Sequence, residues 1–161
     1  MRPNQHHYFL MIALLVSYRG TCRRRRIGCV LVDEHNHILA TGYNGVPAGM
    51  KHCIDEPCSG AFSESGKDLD KCLAIHAEQN ALLQCKDVHK IKACYCTVSP
   101  CITCTKLLLN TSCISLHFIE EYSHPEAKKL WHIPRSRYWY HHFEFKSWDL
   151  KKVLDLQYPL G

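Results

Sequence analysis

At 161 residues the chain has the size of one domain, long enough to bury a single core. Apolar residues make up 46% and charged residues 22%, ordinary values for a globular protein, and the longest apolar run, residues 10–16, falls far short of the ~20 residues of a membrane span. The formal net charge of +5 comes largely from Arg23-Arg24-Arg25-Arg26, a run that serves either as a solvated face or as a surface for nucleic acid or phosphate.

Eleven cysteines is an odd number, and the start, Met1-Arg2-Pro3-Asn4, has no signal-peptide core. Both argue against a disulfide framework. Metal ligands and buried free thiols in a reducing, cytoplasmic compartment are the expectation.

In chain order, the first predicted element is a helix over residues 4–19, capped by Asn4 and ended by Gly20 in a left-handed conformation. Tyr8, Met11, Ile12, Leu15 and Val16 fall at helical spacing and predict its buried stripe. Residues 27–33 read as a strand apolar on both faces, with Cys29 as a small buried hydrophobe. A turn at 34–36 leads to a second, antiparallel strand at 37–41. The segment Gly42-Tyr43-Asn44-Gly45-Val46-Pro47-Ala48-Gly49 is turn-rich, and Asn44 offers a donor and an acceptor that suit a sugar hydroxyl.

Residues 44–72 show almost no periodicity, and a structureless stretch of that length calls for a function or a staple. Cys53, Cys58 and Cys72 lie in or at its end, and Cys22 follows the first helix. Four thiolates would close a tetrahedral, structural zinc site; His52 is an alternative fourth ligand. A helix over 73–85 carries His76 and Glu78 and sends Ala81, Leu82 and Leu83 to the core. A strand at 93–98 stops at Ser99-Pro100, and Cys101 opens a helix ending at Asn110 or Thr111. A strand at 113–119, a helix at 125–131 and a strand at 139–145 complete the list. The later alternation implies right-handed crossovers and parallel pairing.

His76, Glu78 and Pro100-Cys101-Ile102-Thr103-Cys104 carry the chemistry. One histidine and two thiolates supply three zinc ligands and leave a fourth position for water, as catalytic zinc requires. Two thiolates nearly cancel the charge of the dication, so a spare carboxylate is needed to move the proton of the water. Glu78 is that carboxylate. A closed structural zinc, or a C-x-x-C by chance, would leave Glu78 without a purpose.

The spacing His-x-Glu followed by Pro-Cys-x-x-Cys is that of zinc nucleobase deaminases. With Thr21-Cys22, Ile27-Gly28, Gly42-Tyr43-Asn44-Gly45, Pro47, Gly49, His52-Cys53, His76-Ala77-Glu78-Gln79-Asn80-Ala81 and Ser99-Pro100-Cys101, residues 5–131 resemble the deoxycytidylate (dCMP) deaminase family of the cytidine deaminase superfamily. The resemblance implies one zinc-dependent deaminase domain over 1–161, with 44–72 a metal-stapled insertion and 132–161 a C-terminal extension. The implied fold is α/β, a three-layer α/β/α arrangement with a five-stranded mixed sheet. It implies hydrolysis of dCMP to dUMP and ammonia. Zinc would sit on His76, Cys101 and Cys104 with Glu78 as proton shuttle, and a second zinc on Cys22, Cys53, Cys58 and Cys72. Backbone groups of Ala77 and Ser99 would hold the pyrimidine, Asn44 the deoxyribose, Arg24 and Arg26 the 5′-phosphate, and Tyr122 would close over the substrate. The family further implies a homohexamer activated by dCTP and inhibited by dTTP, with Gly45, Val46, Pro47 and Gly49 as effector contacts.

Two other functions fit less of the sequence. Deamination of cytosine or adenine in single-stranded DNA or RNA is favoured by the arginine run and opposed by the long loop that would wall off the site. A non-catalytic zinc-binding interaction module has no use for Glu78.

Overall fold

The computed structural model describes residues 2–122, 124–133 and 143–155. The elements in order are α1 (Gln5–Ser17), β1 (Gly28–Val32), β2 (Ile38–Tyr43), α2 (Ala77–Gln84), β3 (Ala93–Val98), α3 (Ile102–Leu109), β4 (Ser115–Glu120), α4 (Glu126–Trp131), β5 (Glu144–Ser147) and α5 (Leu150–Leu154). They build the expected five-stranded mixed sheet, in the order β2-β1-β3-β4-β5. β1 is antiparallel to both β2 and β3, whereas β3, β4 and β5 run parallel.

Helices cover both faces, which makes three layers. Successive strand residues point to opposite sides, so β3 sends Ala93 and Tyr95 to one core and Cys94 and Cys96 to the other. The first core joins Phe9, Leu10 and Ala13 of α1 to Val30, Val32 and Val153. The second joins Ala77 and Ala81 of α2 to Leu31, Leu108 and Trp131. β1 and β3 are therefore nearly continuous apolar runs, broken only by Thr97, and every residue of both is buried.

Two glycines set how closely the helices approach. A Cβ on Gly28 would lie 2.0 Å from the Ala13 carbonyl oxygen, and one on Gly42 would lie 2.2 Å from that of Ala77. Neither strand position accepts a side chain, so α1 rests directly on β1 and α2 on β2. The second contact fixes the helix that follows His76.

Several sequence expectations are corrected. Asn4 does cap α1, accepting a hydrogen bond from the His7 amide at 2.8 Å, but the buried face is Phe9, Leu10, Ala13 and Ser17; Leu15 is 72% exposed and Tyr8 48%. The helix is apolar nearly all round, so periodicity does not choose its face. The close approach at Gly28 does, because it needs the small Ala13 and Ser17 there. Gly20 is buried and has no left-handed backbone. A Cβ there would lie 2.8 Å from the Asn44 side-chain oxygen, so space is its reason. α2 starts at Ala77, four residues later than expected, because Ile75 pairs with Gly45 in an isolated bridge. Leu83 is 77% exposed. β5 begins at Glu144, and most of the predicted 139–145 strand lies outside the described residues. No helix among the described residues is long and apolar enough to cross a membrane.

Candidate metal and substrate site

His76 is the N-cap of α2, with extended backbone angles. Its amide donates to the Gln79 side-chain oxygen at 2.8 Å, which fixes the residue before the helix begins. Cys101 is the N-cap of α3, also extended, and Cys104 is buried in the first turn of that helix. Pro100 ends β3 and cannot continue the ladder. Two helix N-termini therefore converge, and their unpaired N–H groups favour anionic sulfur.

Cys101 Sγ and Cys104 Sγ each lie 3.4 Å from His76 Nδ1, and the three donor atoms are mutually within 4.8 Å. Zinc bonds of about 2.0 Å to nitrogen and 2.3 Å to sulfur at tetrahedral angles require sulfur–nitrogen separations of about 3.5 Å. The residues present fit a zinc ion with one position left over.

The electrostatics favour a thiolate. Cys101 is lowered to about 4, first by the hydrogen bond from Cys104 and then by His76, against the cost of burial. Cys104, the donor of that bond, is raised, and His76 is raised by its hydrogen bond with Cys101. Glu78 is only 4% exposed. Burial pushes its carboxyl up to about 7; nearby Cys94 and Cys101 add to this, while its own backbone amide and His76 oppose it.

A cavity opens beside this cluster. Its walls include Asn44, Ser99, Arg24 and Tyr122 together with His76, Glu78 and Cys101. Asn44 is 5% exposed; its oxygen accepts from the Ile27 amide and its nitrogen donates to the Arg25 carbonyl, both at 2.8 Å. It thus pins the arginine-bearing segment to the mouth of β1 and keeps one N–H for a ligand. The Ser99 hydroxyl accepts from the Tyr122 amide at 2.7 Å. Arg24 donates to the carbonyls of Glu64 and Lys67, which ties the loop carrying Ser65, Gly66 and Leu69 over the cavity.

Other expected residues lie elsewhere. Arg26 is exposed and off the cavity wall; Arg25 lines it instead and pairs with Glu120 at the end of β4. A run of four arginines carried no signal for which would turn inward. Ala77 is fully buried against Gly42. Gly45, Val46, Pro47 and Gly49 lie off the cavity wall, and Gly49 is exposed with a left-handed backbone.

The second cysteine set is gathered but not closed. Cys53 Sγ and Cys58 Sγ are 3.8 Å apart, which matches two thiolates on one tetrahedral zinc. Burial raises the Cys72 thiol, with neighbouring Cys22 and Cys58 acting in the same direction, while the Leu73 backbone lowers that of Cys58, with Cys53 and Cys72 adding to this. No three of these four fall mutually within 4.8 Å. His52 is exposed, and its carbonyl accepts from the amides of Asp55 and Glu56.

A third group was not anticipated: Cys29, Cys94 and Cys96, all buried, with their sulfur atoms together. Two cysteines at strand spacing opposite a third in the neighbouring strand was the available signal.

Residues 3–119 match the family described as "Cytidine and deoxycytidylate deaminase zinc-binding region". The deoxycytidylate deaminase of Schizosaccharomyces pombe is 44% identical over 108 residues, 65% of this chain and 33% of that protein. That of Saccharomyces cerevisiae is 36% identical over 124 residues, 76% of this chain and 39% of its own length. The Mycobacterium phage D29 deoxycytidylate deaminase is 40% identical over 113 residues, 66% of this chain and 88% of that protein. The chain thus spans well under half the length of the two yeast relatives. Among solved structures, cyanophage S-TIM5 dCMP deaminase in complex with dCMP and dUMP aligns with a TM-score of 0.66 at 26% identity. The alignment covers 81% of this chain and 92% of the cyanophage one.

Proposed function

The chain belongs to the cytidine and deoxycytidylate deaminase family, and from that premise we propose that it hydrolyses dCMP to dUMP and ammonia, acting on the C–N bond of a cyclic amidine. One observation carries the reading: His76, Cys101 and the buried Glu78 share a cavity wall with Arg24 and Arg25, and Cys104 completes the cluster of three zinc-type donors. A nucleoside needs the first part; a nucleotide needs both.

His76, Cys101 and Cys104 hold the zinc, which when bound supplies Lewis acidity and lowers the pKa of a water ligand. Glu78 would accept a proton from the attacking water and return it to the amino nitrogen that leaves as ammonia. A carboxyl poised near neutrality by burial suits transfer in both directions. Ser99, with the backbone of Ala77 behind it, holds the pyrimidine edge. Asn44 offers its remaining N–H to the deoxyribose. Arg24 and Arg25 take the 5′-phosphate, Arg25 in place of the Arg26 expected from the family resemblance; a guanidinium fork matches that geometry. Tyr122 and the loop at 65–69 close the cavity.

In the same reading Cys22, Cys53, Cys58 and Cys72 hold a structural zinc that orders the insertion at 44–72. The chain is one deaminase domain with a C-terminal extension from residue 132. It works in the cytoplasm as a homohexamer, activated by dCTP and inhibited by dTTP through the exposed turn around Val46, Pro47 and Gly49. Effectors bound there stay clear of the substrate cavity.

Steady-state deamination of dCMP, deoxycytidine and a cytosine-containing oligonucleotide, with and without dCTP, tests the reading. Turnover of dCMP well above deoxycytidine is expected. Turnover of the oligonucleotide alone overturns it and favours the polynucleotide enzyme. Release of ammonia from none of them favours a zinc-binding module.

A further inference from the structure

The deamination chemistry has no use for the thiol cluster behind the cavity, on the sheet face that α2 covers. Cys29 of β1 is directly opposite Cys96 of β3, and Cys94 projects from the same face two residues earlier. Cys94 Sγ lies 3.5 Å from Cys29 Sγ and 3.4 Å from Cys96 Sγ, and all three sulfurs are mutually within 4.8 Å. This spacing matches the 3.4 Å between His76 and each of its two sulfurs. Each of the three cysteines is at most 1% exposed, and the set contains sulfur alone.

We propose that Cys29, Cys94 and Cys96 form a three-sulfur site for a soft monovalent metal ion of the Cu(I) class. Sulfur-only donors select soft ions. A structural zinc takes four ligands, and this set supplies three. Cysteine binds metal as the thiolate, so loading releases the proton of each sulfur that ligates.

The size also fits. Metal–sulfur bonds of about 2.3 Å in a plane place sulfurs about 4.0 Å apart, so the two close pairs open by roughly half an ångström. The fully buried α2 residues of the same core are Ala77 and Ala81, with the half-buried Leu82 packed against it. Ala77 is the residue between His76 and Glu78, so a rearrangement of that core reaches the helix start that carries them. Loading should therefore slow the deaminase without displacing its zinc. Buried sulfurs are reached only through local opening, so uptake is slow.

The test equilibrates the zinc-loaded full chain with Cu(I) buffered by bicinchoninate, in the wild type, in Cys94→Ala and in the Cys29→Ala/Cys96→Ala double variant. The wild type should take up one Cu(I) per chain more than either variant, at unchanged zinc content. X-ray absorption at the copper edge should show three sulfur neighbours. Equal uptake by all three proteins overturns the proposal, and so does copper that replaces zinc one for one. Cys94→Ser serves if the alanine variant does not fold. Metal content is read without any deaminase assay, so this result stands apart from the proposed activity.

Discussion

Two regions of the molecule use the same ligand chemistry in opposite ways. Around His76, Cys101 and Cys104, the donors stand at helix starts whose positions are set by the sheet, by Gly42 and by the Gln79 bond. The donor atoms already meet. Around Cys22, Cys53, Cys58 and Cys72, the chain from Asn44 to Cys72 has no regular element beyond a single 3₁₀ turn at Leu69–Lys71. The Cys53–Cys58 pair has the spacing of zinc ligands, but no three of the four sulfurs fall mutually within 4.8 Å. In the first region the fold builds the metal site. In the second, a metal would have to build the fold.

The largest expected effect breaks the chemistry of the first region and leaves its structure alone. Glu78→Gln should lower dCMP turnover by roughly 10³-fold, the usual worth of a general acid–base group. It should keep the same zinc content and a melting temperature at or above that of the wild type, since it removes a carboxyl that burial disfavours. Activity within tenfold of the wild type would remove Glu78 from its role.

The next effect tests the contrast directly. Cys104→Ala and Cys53→Ala should each take one zinc per chain from a wild type holding two. Only Cys53→Ala should lose order, with a melting temperature lower by roughly 10 °C and faster tryptic cleavage at the exposed Lys67 and Lys71. Equal melting temperatures for the two variants, or a wild type with a single zinc, would erase the distinction.

The same contrast explains how much was legible in the sequence. The gathering of His76, Cys101 and Cys104 could be read because these donors are few and stand at helix starts that Pro100 and the His-x-Glu spacing announce. The sheet could be read because buried strands are continuous apolar runs. The inward face of α1 could not, because that helix is apolar all round and a glycine on another element chooses the face. The proposed phosphate end was half legible. Four adjacent arginines mark a cationic segment, but the Asn44 bonds to Ile27 and Arg25 decide its course. The thiol trio needed the strand register, which pairs residues far apart in the sequence.

A smaller effect separates the two readings of the arginine run. Arg25→Ala should raise KM for dCMP by about tenfold to a hundredfold, as for one lost charge-assisted hydrogen bond, with kcat for deoxycytidine unchanged. Arg26→Ala should alter neither. The reverse pattern would return the phosphate to Arg26.

The smallest effect lies on the opposite face of the sheet, where no zinc ligand is placed. His117 is 1% exposed. Its Nδ1 accepts from Trp148 Nε1 at 3.3 Å, and its ring stacks on Tyr95 with centroids 4.7 Å apart. Burial pushes its pKa down to about 3, with His6 and Lys146 acting in the same direction. Glu144, 3.7 Å from Nε2, would favour the charged form, but its side chain is 53% exposed and water screens it. The folded protein therefore keeps this imidazole neutral, whereas the unfolded chain protonates it near its ordinary value of about 6.5. Between those two values the unfolded state holds the extra proton, so stability falls as pH falls. Below about pH 3 the contribution levels off. The linkage amounts to about 0.7 kcal/mol between pH 7 and pH 6. Urea unfolding at those two pH values should show that loss in the wild type and not in His117→Gln. Equal slopes would mean that the back face does not sense pH through this residue. Zinc removal should leave the difference in slopes unchanged, because neither proposed zinc set lies on this face.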